Sequence, residues 1–405
     1  MRVIKRITRN GIVFAALISI FSCASPDNKK STGPDKDSPL MLAGDWVPDD
    51  PKQIDFDHLP QVPNAEHVIV HDVRQFDGHR VNQHNYLTYY GGKYWAMWSD
   101  GHGVARAKPG EHRDKVPGHD QSGQKVSFST STDGLNWSEA KDITDEPRDE
   151  FGWIARGFWL YKGKLLALIT RFKGPGYAGE GLSLHAFEFN DSSGTWSHLG
   201  IVYDNAMNNF PPKQLPNGEW MMSRRDSSKN VHLLYGAKDA YNQWNSVPVV
   251  SYEGGDFKAE EPCWWVLPDN NLVSLYRDNS KSGFLYRSFS TDTGRTWSKP
   301  VKTNFPDAAS KFSDLRLKDG RYVIVSNPNP KKRDPMTLAI SDDGIVFNKM
   351  IYIVGGRHID YPDVMEHDGY LFIAFASAKQ SVEVVRVRIA DIDKIQMPSK
   401  PFIVK

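Results

Sequence analysis

The chain has 405 residues, of which 24% are charged, and its formal net charge at pH 7 is +1. This small net charge excludes a strong overall field, so the composition does not call for nucleic acid or an anionic membrane surface as a partner. Aromatic residues make up 12% of the chain, which also has 32 glycines and 12 tryptophans. These values favour an all-β protein with many turns.

The N-terminal segment has the pattern of a bacterial lipoprotein signal. Basic residues within the first ten positions precede the apolar run "GIVFAALISIF", which is too short to span a bilayer. The run ends at "IFSCAS", which resembles a lipoprotein cleavage box with Cys23 as the lipidated first residue of the mature chain. We therefore expect a signal peptide over residues 1–22 and an exported lipoprotein in the periplasm or on the outer-membrane surface. An ordinary cleaved signal with an incidental cysteine is the alternative.

Residues 23–41 are polar and rich in proline, which predicts a flexible tether. Residues 42–405 are then expected to form a single catalytic domain. The second cysteine, Cys263, has no partner after export, so no disulfide framework is predicted.

Three short segments of this domain match one another: "STDGLNW", "STDTGRTW" and "SDDGIVF". They resemble the Asp-box of sialidase-like β-propellers. With two weaker relatives, their terminal aromatic residues recur about every fifty residues, which is typical of propeller blades of four strands each. In such a turn Asp and Ser accept hydrogen bonds from backbone N–H groups and Gly supplies the positive φ, so we expect a structural role for these aspartates.

A strand–turn–strand pattern also repeats, and six units are clear. The strand at residues 67–73 either completes the last blade or belongs to a seventh. The first unit reads "VNQHNYLTYYGGKYWAMWSDGHG", in which two strands flank a two-glycine turn and place His84 and His102 near the open ends. Both imidazoles are predicted to face one mouth of the channel.

Other charged residues fall at equivalent places in the hairpins. Second strands end at Arg171, at Arg224 or Arg225, and at Arg277, whereas Arg156, Glu261, Asp314 and Tyr361 lie near the starts of first strands. Guanidinium groups bind planar carboxylates through two parallel hydrogen bonds. This pattern predicts a cleft for an acidic sugar, with Arg225, Arg277, Glu261, Tyr361 and Arg156 contacting substrate.

Part of the chain resembles sialidases. "EEPCWWVLPDNNLVSLYR" is similar to their Glu-to-Arg segment, here Glu261 and Arg277, and "YPDVMEHDGYLFIAF" is similar to the segment that bears their tyrosine nucleophile, here Tyr361. The arginine motif with which sialidases open is replaced by "VNQHNYL". No acidic residue in the first unit is a convincing proton donor. An exo-α-sialidase is therefore an alternative.

Histidine beside arginine indicates a different reaction, β-elimination from a uronate. A cation must neutralise the carboxylate so that a base can remove the C5 proton, and imidazole suits proton transfer near neutral pH. "NQHNYLTYYGGKYWAMWSDGHG" and "LLALITRF" resemble the propellers of glycoside hydrolase family 145 and the related L-rhamnose-α-1,4-D-glucuronate lyases, which act on arabinogalactan side-chain ends. The resemblance implies seven blades, His102 as principal base and acid, and His84 and Arg171 as groups that neutralise the carboxylate.

Two further functions stay open. The same family includes an α-L-rhamnosidase whose catalytic histidine lies on the opposite face, where this chain has Gln61. A surface lipoprotein that binds glycans without cleaving them is the other. The expected partner is an acidic plant polysaccharide, with membrane contact only through the lipid anchor, no nucleic acid and a monomeric chain. No metal site is predicted, and the histidine-bearing loop at residues 110–121 is no exception. A bound Ca²⁺ is left open as an alternative.

Overall fold

The computed structural model describes residues 35–75, 80–102, 122–147, 149–176, 179–253 and 257–404. Within these ranges the chain forms six antiparallel sheets of four strands each, arranged as the blades of a β-propeller. The predicted signal peptide, Cys23 and the loop at residues 110–121 lie outside the described residues, as does most of the predicted tether. No helix in the described ranges is long and apolar enough to cross a bilayer.

The strands account for nearly all of the regular structure. In chain order they are β1 Glu66–Asp72, β2 Arg80–Tyr90, β3 Lys93–His102, β4 Lys125–Ser131, β5 Lys141–Asp142, β6 Phe151–Tyr161, β7 Lys164–Lys173, β8 Ser183–Asn190, β9 Thr195–Asp204, β10 Lys213–Gln214, β11 Trp220–Arg225, β12 Val231–Gly236, β13 Trp244–Val250, β14 Ala259–Val266, β15 Leu272–Asp278, β16 Phe284–Ser290, β17 Val301–Pro306, β18 Ser313–Arg316, β19 Tyr322–Ser326, β20 Met336–Ser341, β21 Lys349–Val354, β22 Ile359–His367, β23 Tyr370–Ser377 and β24 Ser381–Arg388. Short 3₁₀ helices span Pro51–Gln53, Phe56–His58 and Val73–Gln75, and α1 spans Ile389–Asp393.

Each of the first five blades is a run of four consecutive strands, from β2–β5 to β18–β21. The sixth blade combines β22, β23 and β24 with β1, which pairs antiparallel with β24 from Glu66 opposite Arg386 to Asp72 opposite Ser381. The N-terminal strand therefore completes the last blade and closes the ring. Six blades, the alternative count, are confirmed, and the seven implied by the family resemblance are wrong.

The Asp-box turns have the predicted structural role. Ser131 Oγ accepts a hydrogen bond from Gly134 N at 2.8 Å, and Asp133 Oδ1 accepts from Asn136 N at 2.8 Å. The hydrogen bonds that Asp133 accepts, first from Asn136 and then from Leu135 N, hold its pKa below its ordinary value. Gly134 has a φ of +75°, and a Cβ atom there would lie 2.3 Å from Phe372 Cε1 on the neighbouring blade. The turn thus fits tightly against the next blade.

The segment before the propeller packs onto it. Arg287 Nη2 donates to the carbonyl oxygens of Ser38 and Leu40, each at 3.0 Å, and Asn304 Oδ1 accepts from Met41 N at 2.8 Å. The C-terminal end of the predicted tether is therefore bound to the fourth blade. From Met41 onward, apolar side chains of the segment join a core shared with blades four and five.

Candidate functional site

Four blades carry an irregularity in their first, innermost strand: β6 has a register shift between Ala155 and Gly157, and the other three strands have a bulge of two residues opposite one. In β2 the pairs Gln83–Ser99 and Tyr86–Met97 enclose two residues on one strand opposite one on the other, and β14 and β22 show the same irregularity. The first bulged residues have left-handed φ angles: 56° at His84, 48° at Glu261 and 53° at Tyr361. Such angles are uncommon outside glycine, and bulges re-aim side chains beside active sites. The bulges explain how strand residues turn their side chains into a shared space.

In β14 and β22 the second bulged residue is a proline, Pro262 or Pro362. Proline has no N–H, so the bulge leaves no backbone donor unpaired at these positions. The carbonyl of Pro262 accepts from Ser223 Oγ at 2.5 Å, and that of Pro362 accepts from the fully buried Lys311 Nζ at 2.8 Å. Side chains from neighbouring blades therefore fix both bulges.

Side chains from five of the six blades line one cavity of about 390 Å³, which we call the central cavity. Its lining residues are His84, Arg156, Gly176, Met207, Asn209, Arg225, Lys229, Glu260, Glu261, Arg277 and Tyr361. Six residues predicted from the sequence are among them: His84, Arg156, Arg225, Glu261, Arg277 and Tyr361. Four cationic side chains face two carboxylates here, so the lining has a net positive charge when His84 is neutral.

Buried ion pairs organise the cationic side of the central cavity. Arg277 Nη1 lies 2.6 Å from Glu261 Oε2, and Arg225 Nη1 lies 3.0 Å from Glu260 Oε1. Asn209 joins the two pairs, because its Nδ2 donates to Glu261 and its Oδ1 accepts from Arg225, each at 3.2 Å. Burial opposes ionisation of Glu261, but the charges of Arg277 and Arg225 outweigh it and hold the pKa of Glu261 below its ordinary value.

Both arginines contain a buried donor that has no acceptor. The Nε atoms of Arg225 and Arg277 have no hydrogen-bond partner among the described residues. An unsatisfied buried donor costs free energy, and the guanidinium groups that line the cavity place positive charge beside any carboxylate bound there.

The rings of His84 and Tyr361, which also line the central cavity, stack with centroids 4.9 Å apart and planes inclined by 25°. His84 Nδ1 lies 3.2 Å from Ser99 Oγ, which also accepts from Ala155 N at 2.9 Å. Burial and the negative charge of Glu261 raise the pKa of Tyr361, so its phenol holds its proton at neutral pH. The pair therefore combines an imidazole with a protonated phenol.

Two more basic side chains lie near Tyr361. The guanidinium of Arg333 and the amino group of Lys379 each lie 5.8 Å from the centroid of its ring. Arg333 is paired with Asp360, with Nη1 and Oδ1 2.5 Å apart. Lys379 is almost fully buried, and burial lowers its pKa to about 7. Tyr361 thus lies beside two basic side chains, of which Arg333 is paired with a carboxylate.

Sequence reasoning missed Arg333, Lys379, Glu260 and Asn209. For Asn209 a signal existed, since it precedes "FPP" shortly before a first strand, much as Glu261 and Tyr361 each precede a proline. Arg333 and Lys379 lie in connections between strands, where no repeated pattern marks them. Only the closed ring shows that they reach Tyr361.

His102 lies outside the central cavity. It ends β3 opposite Arg80, and its Nε2 lies 2.7 Å from Glu146 Oε1 with 49% of its side chain exposed. The reason is strand alternation: Ser99 faces His84, so His102, three residues further along the same strand, points to the other side of the blade. The expected convergence of His84 and His102 on one cavity is not what the structure shows.

Arg171 is displaced in the same way. Thr170 Oγ1 lies 3.4 Å from Arg156 Nε, so the next residue points away from the cavity. The Arg171 guanidinium stacks over Phe151 at 3.5 Å from the ring centroid and pairs with Asp149 at 3.2 Å.

The two arginines at the end of β11 point to opposite sides of their blade. Arg225 lines the central cavity, whereas the guanidinium of Arg224 lies 5.0 Å from the ring centroid of Tyr203. Asp314 pairs with Lys213 rather than lining this cavity. Among the described residues, no group of three or more His, Cys, Asp or Glu side chains is placed to hold a metal ion.

A family model described as a BNR repeat-like domain matches residues 116–373, more than half of the chain. Among solved structures, a protein of unknown function from Dyadobacter fermentans superposes with a TM-score of 0.62 at 15% identity, covering 81% of this chain and 100% of that one. The intramolecular trans-sialidase from Ruminococcus gnavus, in complex with oseltamivir carboxylate, gives 0.58 at 15% identity, covering 81% of this chain and 98% of that one.

The sialidase of Trypanosoma rangeli in complex with sialic acid superposes with a TM-score of 0.57 at 15% identity. The match covers 83% of this chain but only 60% of that one. At these identities the likeness extends to the fold alone. No curated protein matches the chain significantly.

Proposed function

We propose that this chain, which belongs to the family of BNR repeat-like domains, is a carbohydrate-active enzyme that cleaves a glycosidic linkage of an acidic sugar held in the central cavity. The observation that carries the proposal is the stack of His84 on Tyr361 in a cavity that three arginines also line. Proton-transfer groups and cationic groups therefore line one space of about 390 Å³, which is large enough for a sugar ring.

The cationic side of the cavity is suited to a carboxylate. Arg225 and Arg277 are already fixed by Glu260, Glu261 and Asn209, so little side-chain entropy is lost when they bind an anion. Their guanidinium groups line the cavity and supply the positive charge that a carboxylate requires. A uronate bound here would have its negative charge neutralised, which is the first requirement for removing the proton at C5.

The reaction we propose is β-elimination at a glucuronate that carries L-rhamnose at O4. When Nδ1 of His84 donates to Ser99 Oγ, Nε2 of the neutral ring is the proton acceptor. It takes the C5 proton, a C4–C5 double bond forms and the C4–O4 bond breaks. The phenol of Tyr361 then gives its proton to the departing rhamnose oxygen. Its raised pKa supports this acid role.

These roles differ from those implied by the family resemblance. His102 and Arg171 are each paired with a carboxylate and do not line the central cavity. The proposal therefore assigns proton abstraction to His84 and proton donation to Tyr361. It assigns neutralisation of the carboxylate to Arg225 and Arg277, with Arg156 beside them.

Incubation with gum arabic and with a rhamnosyl-glucuronate disaccharide tests the proposal. Elimination creates a double bond conjugated with the carboxylate, so ultraviolet absorbance should rise while free rhamnose appears in equal amount. Release of rhamnose without absorbance would indicate hydrolysis and contradict the elimination. Binding of glucuronate without any release would indicate a non-catalytic glycan-binding protein.

Hydrolysis of a sialoside is the second candidate, and the position of Glu261 favours it. The charge of this carboxylate acts on Tyr361, which could serve as a nucleophile if Glu261 accepted its proton. The sialidases among the structural neighbours have the same fold. Release of the fluorophore from an aryl sialoside, lost in Glu261→Gln, would support this candidate. No release from that substrate would exclude it.

We also propose that the chain is an exported lipoprotein held by a lipid on Cys23, because the N-terminal sequence has the required order of basic, apolar and cysteine-containing parts. Metabolic labelling with a radioactive fatty acid tests this. The native chain should be labelled and Cys23→Ser should not. Equal labelling of both would contradict the anchor.

A further inference from the structure

A second cavity, of about 510 Å³, shares the lining residue Arg277 with the central cavity. We call it the rim cavity; residues between β15 and β16, between β17 and β18, and between β19 and β20 supply most of its lining. Arg277 lines both cavities, and Arg333, which contacts Tyr361 in the central cavity, also lines the rim cavity. A ligand that occupies one cavity is therefore next to the other.

The rim cavity is strongly cationic. Five lysine and arginine side chains line it, whereas Asp307 is the one carboxyl group among its lining residues. Lys332 is paired with Asp57 and Asp334, and Arg333 with Asp360. Within the part of the chain that the structure describes, Lys281 and Lys331 form no ion pair. Their charges are thus available to a bound anion.

Asp307, the one carboxyl group among these lining residues, is protonated in part near neutral pH, so it repels an anion less than an ordinary aspartate does. Asp307 is only 2% exposed; its Oδ2 accepts from Ala309 N at 2.9 Å, and its Oδ1 is buried with no hydrogen-bond partner among the described residues. Burial raises the pKa of Asp307 to about 7, and the charge of Arg277 offsets this only in part. In its protonated form Asp307 carries no negative charge, so it does not repel an anion in the cavity.

We propose that the rim cavity is a second subsite, which binds another acidic group of the polysaccharide whose glucuronate occupies the central cavity. This inference rests on the proposed function and narrows its substrate class to glycans with two acidic groups close together. Lys281 and Lys331 bind the second group from the solvent side, and Arg277 and Arg333 bind it from the wall between the cavities. A carboxylate and a sulfate ester share the chemistry this subsite recognises.

Calorimetric titration of the full-length protein tests the subsite separately from catalysis. The probes are methyl glucuronide, a diglucuronate disaccharide, the same disaccharide with one carboxylate reduced to an alcohol, its sulfated counterpart and inorganic sulfate. The double variant Lys281→Gln/Lys331→Gln removes both unpaired cations. Lys93→Gln/Lys318→Gln is the matched control, since both lysines are exposed and neither lines the rim cavity.

The native protein should bind the doubly acidic disaccharide about tenfold more tightly than its reduced form, as expected for added charge-assisted hydrogen bonds. The double variant should lose this preference and its affinity for inorganic sulfate, and should bind methyl glucuronide as the native protein does. The control should behave as the native protein throughout. Comparison of the two disaccharides that carry a second anionic group shows whether carboxylate or sulfate is preferred.

Equal affinity for the acidic and reduced disaccharides would overturn the subsite, as would a preference that survives in the double variant. If sulfate binds and is lost in the double variant while methyl glucuronide binds to no protein tested, the rim subsite stands and the function proposed for the central cavity fails. The two proposals can therefore be rejected separately.

Discussion

The imidazole of His84 stacks on the phenol of Tyr361, with ring centroids 4.9 Å apart, although the two residues belong to the first and the last blade of the ring. Each residue is the first of a two-residue bulge and has a left-handed φ. Two local departures from regular strand geometry, far apart in sequence, thus create one contact. Such backbone conformations cost free energy and persist where the surrounding structure fixes them, commonly at functional sites.

Replacing either member of this pair should abolish cleavage without unfolding the protein. We expect His84→Gln and Tyr361→Phe each to lower kcat by about 10²-fold or more, since each removes a proton-transfer group and nearly preserves its volume. Initial rates on the rhamnosyl-glucuronate disaccharide measure the effect, with circular dichroism as the control for folding. A Tyr361→Phe protein with a native rate would remove the phenol from the mechanism.

His102→Ala tests whether His84 or His102 removes the proton. The central cavity indicates His84, whereas the family resemblance implies His102. Because His102 is half-exposed against Glu146, we expect the variant to retain most of the native kcat/KM. The same disaccharide assay measures it, beside His84→Gln as the inactive reference. Loss of turnover in His102→Ala with retention in His84→Gln would reverse the assignment.

Removing Arg277 should destabilise the protein by leaving Glu261 charged and unpaired in a buried site. We expect Arg277→Met to lower the free energy of unfolding by roughly 3–5 kcal/mol, and the double variant Arg277→Met/Glu261→Gln to recover part of this loss. Urea denaturation measures both. If the double variant were no more stable than Arg277→Met, the ion pair would not be the source of the effect.

Gly134 should tolerate no side chain, because its Asp-box turn packs against the next blade. A Cβ atom there would lie 2.3 Å from Phe372, whereas at Gly91, which also has a positive φ, nothing lies within 4 Å. We expect Gly134→Ala to cost more than Gly91→Ala by roughly 1–3 kcal/mol, since only the former adds a collision to the backbone strain. Thermal unfolding compares them, and equal losses would contradict the close contact.

Asp307→Asn should stabilise the protein increasingly as pH rises. The folded-state pKa of Asp307, about 7, lies above the ordinary value of 3.8, so the folded state holds this proton more tightly than the unfolded state. Its contribution to stability is complete below the unfolded pKa and is lost as pH rises through the folded pKa. The asparagine variant avoids this loss, and we expect a gain of roughly 2–4 kcal/mol near pH 8.

Denaturation curves recorded between about pH 4 and about pH 8 measure this gain, with the native protein as reference. The difference between the two proteins should grow with pH. A difference independent of pH would show that Asp307 does not titrate in this range.

The repeated turns and hairpins of the sequence were enough to predict an all-β propeller with four-stranded blades, because Asp-box signals and strand alternation are local. They also identified six residues of the central cavity, since equivalent positions in successive hairpins meet at the ring centre. The blade count was ambiguous in sequence. Whether the strand at Glu66–Asp72 closes the last blade depends on its pairing with β24, which no local pattern specifies.

Tertiary structure alone decided which polar residues face one another. At a strand end, neighbouring residues point to opposite sides of a blade, so a shift of one position separates Thr170 from Arg171 and Arg225 from Arg224. Bulges break this alternation at His84, Glu261 and Tyr361, and side chains from other parts of the ring bind the carbonyls of Pro262 and Pro362 in two of these bulges. The sequence therefore determined the repeating scaffold, whereas ring closure determined the set of side chains that share a cavity.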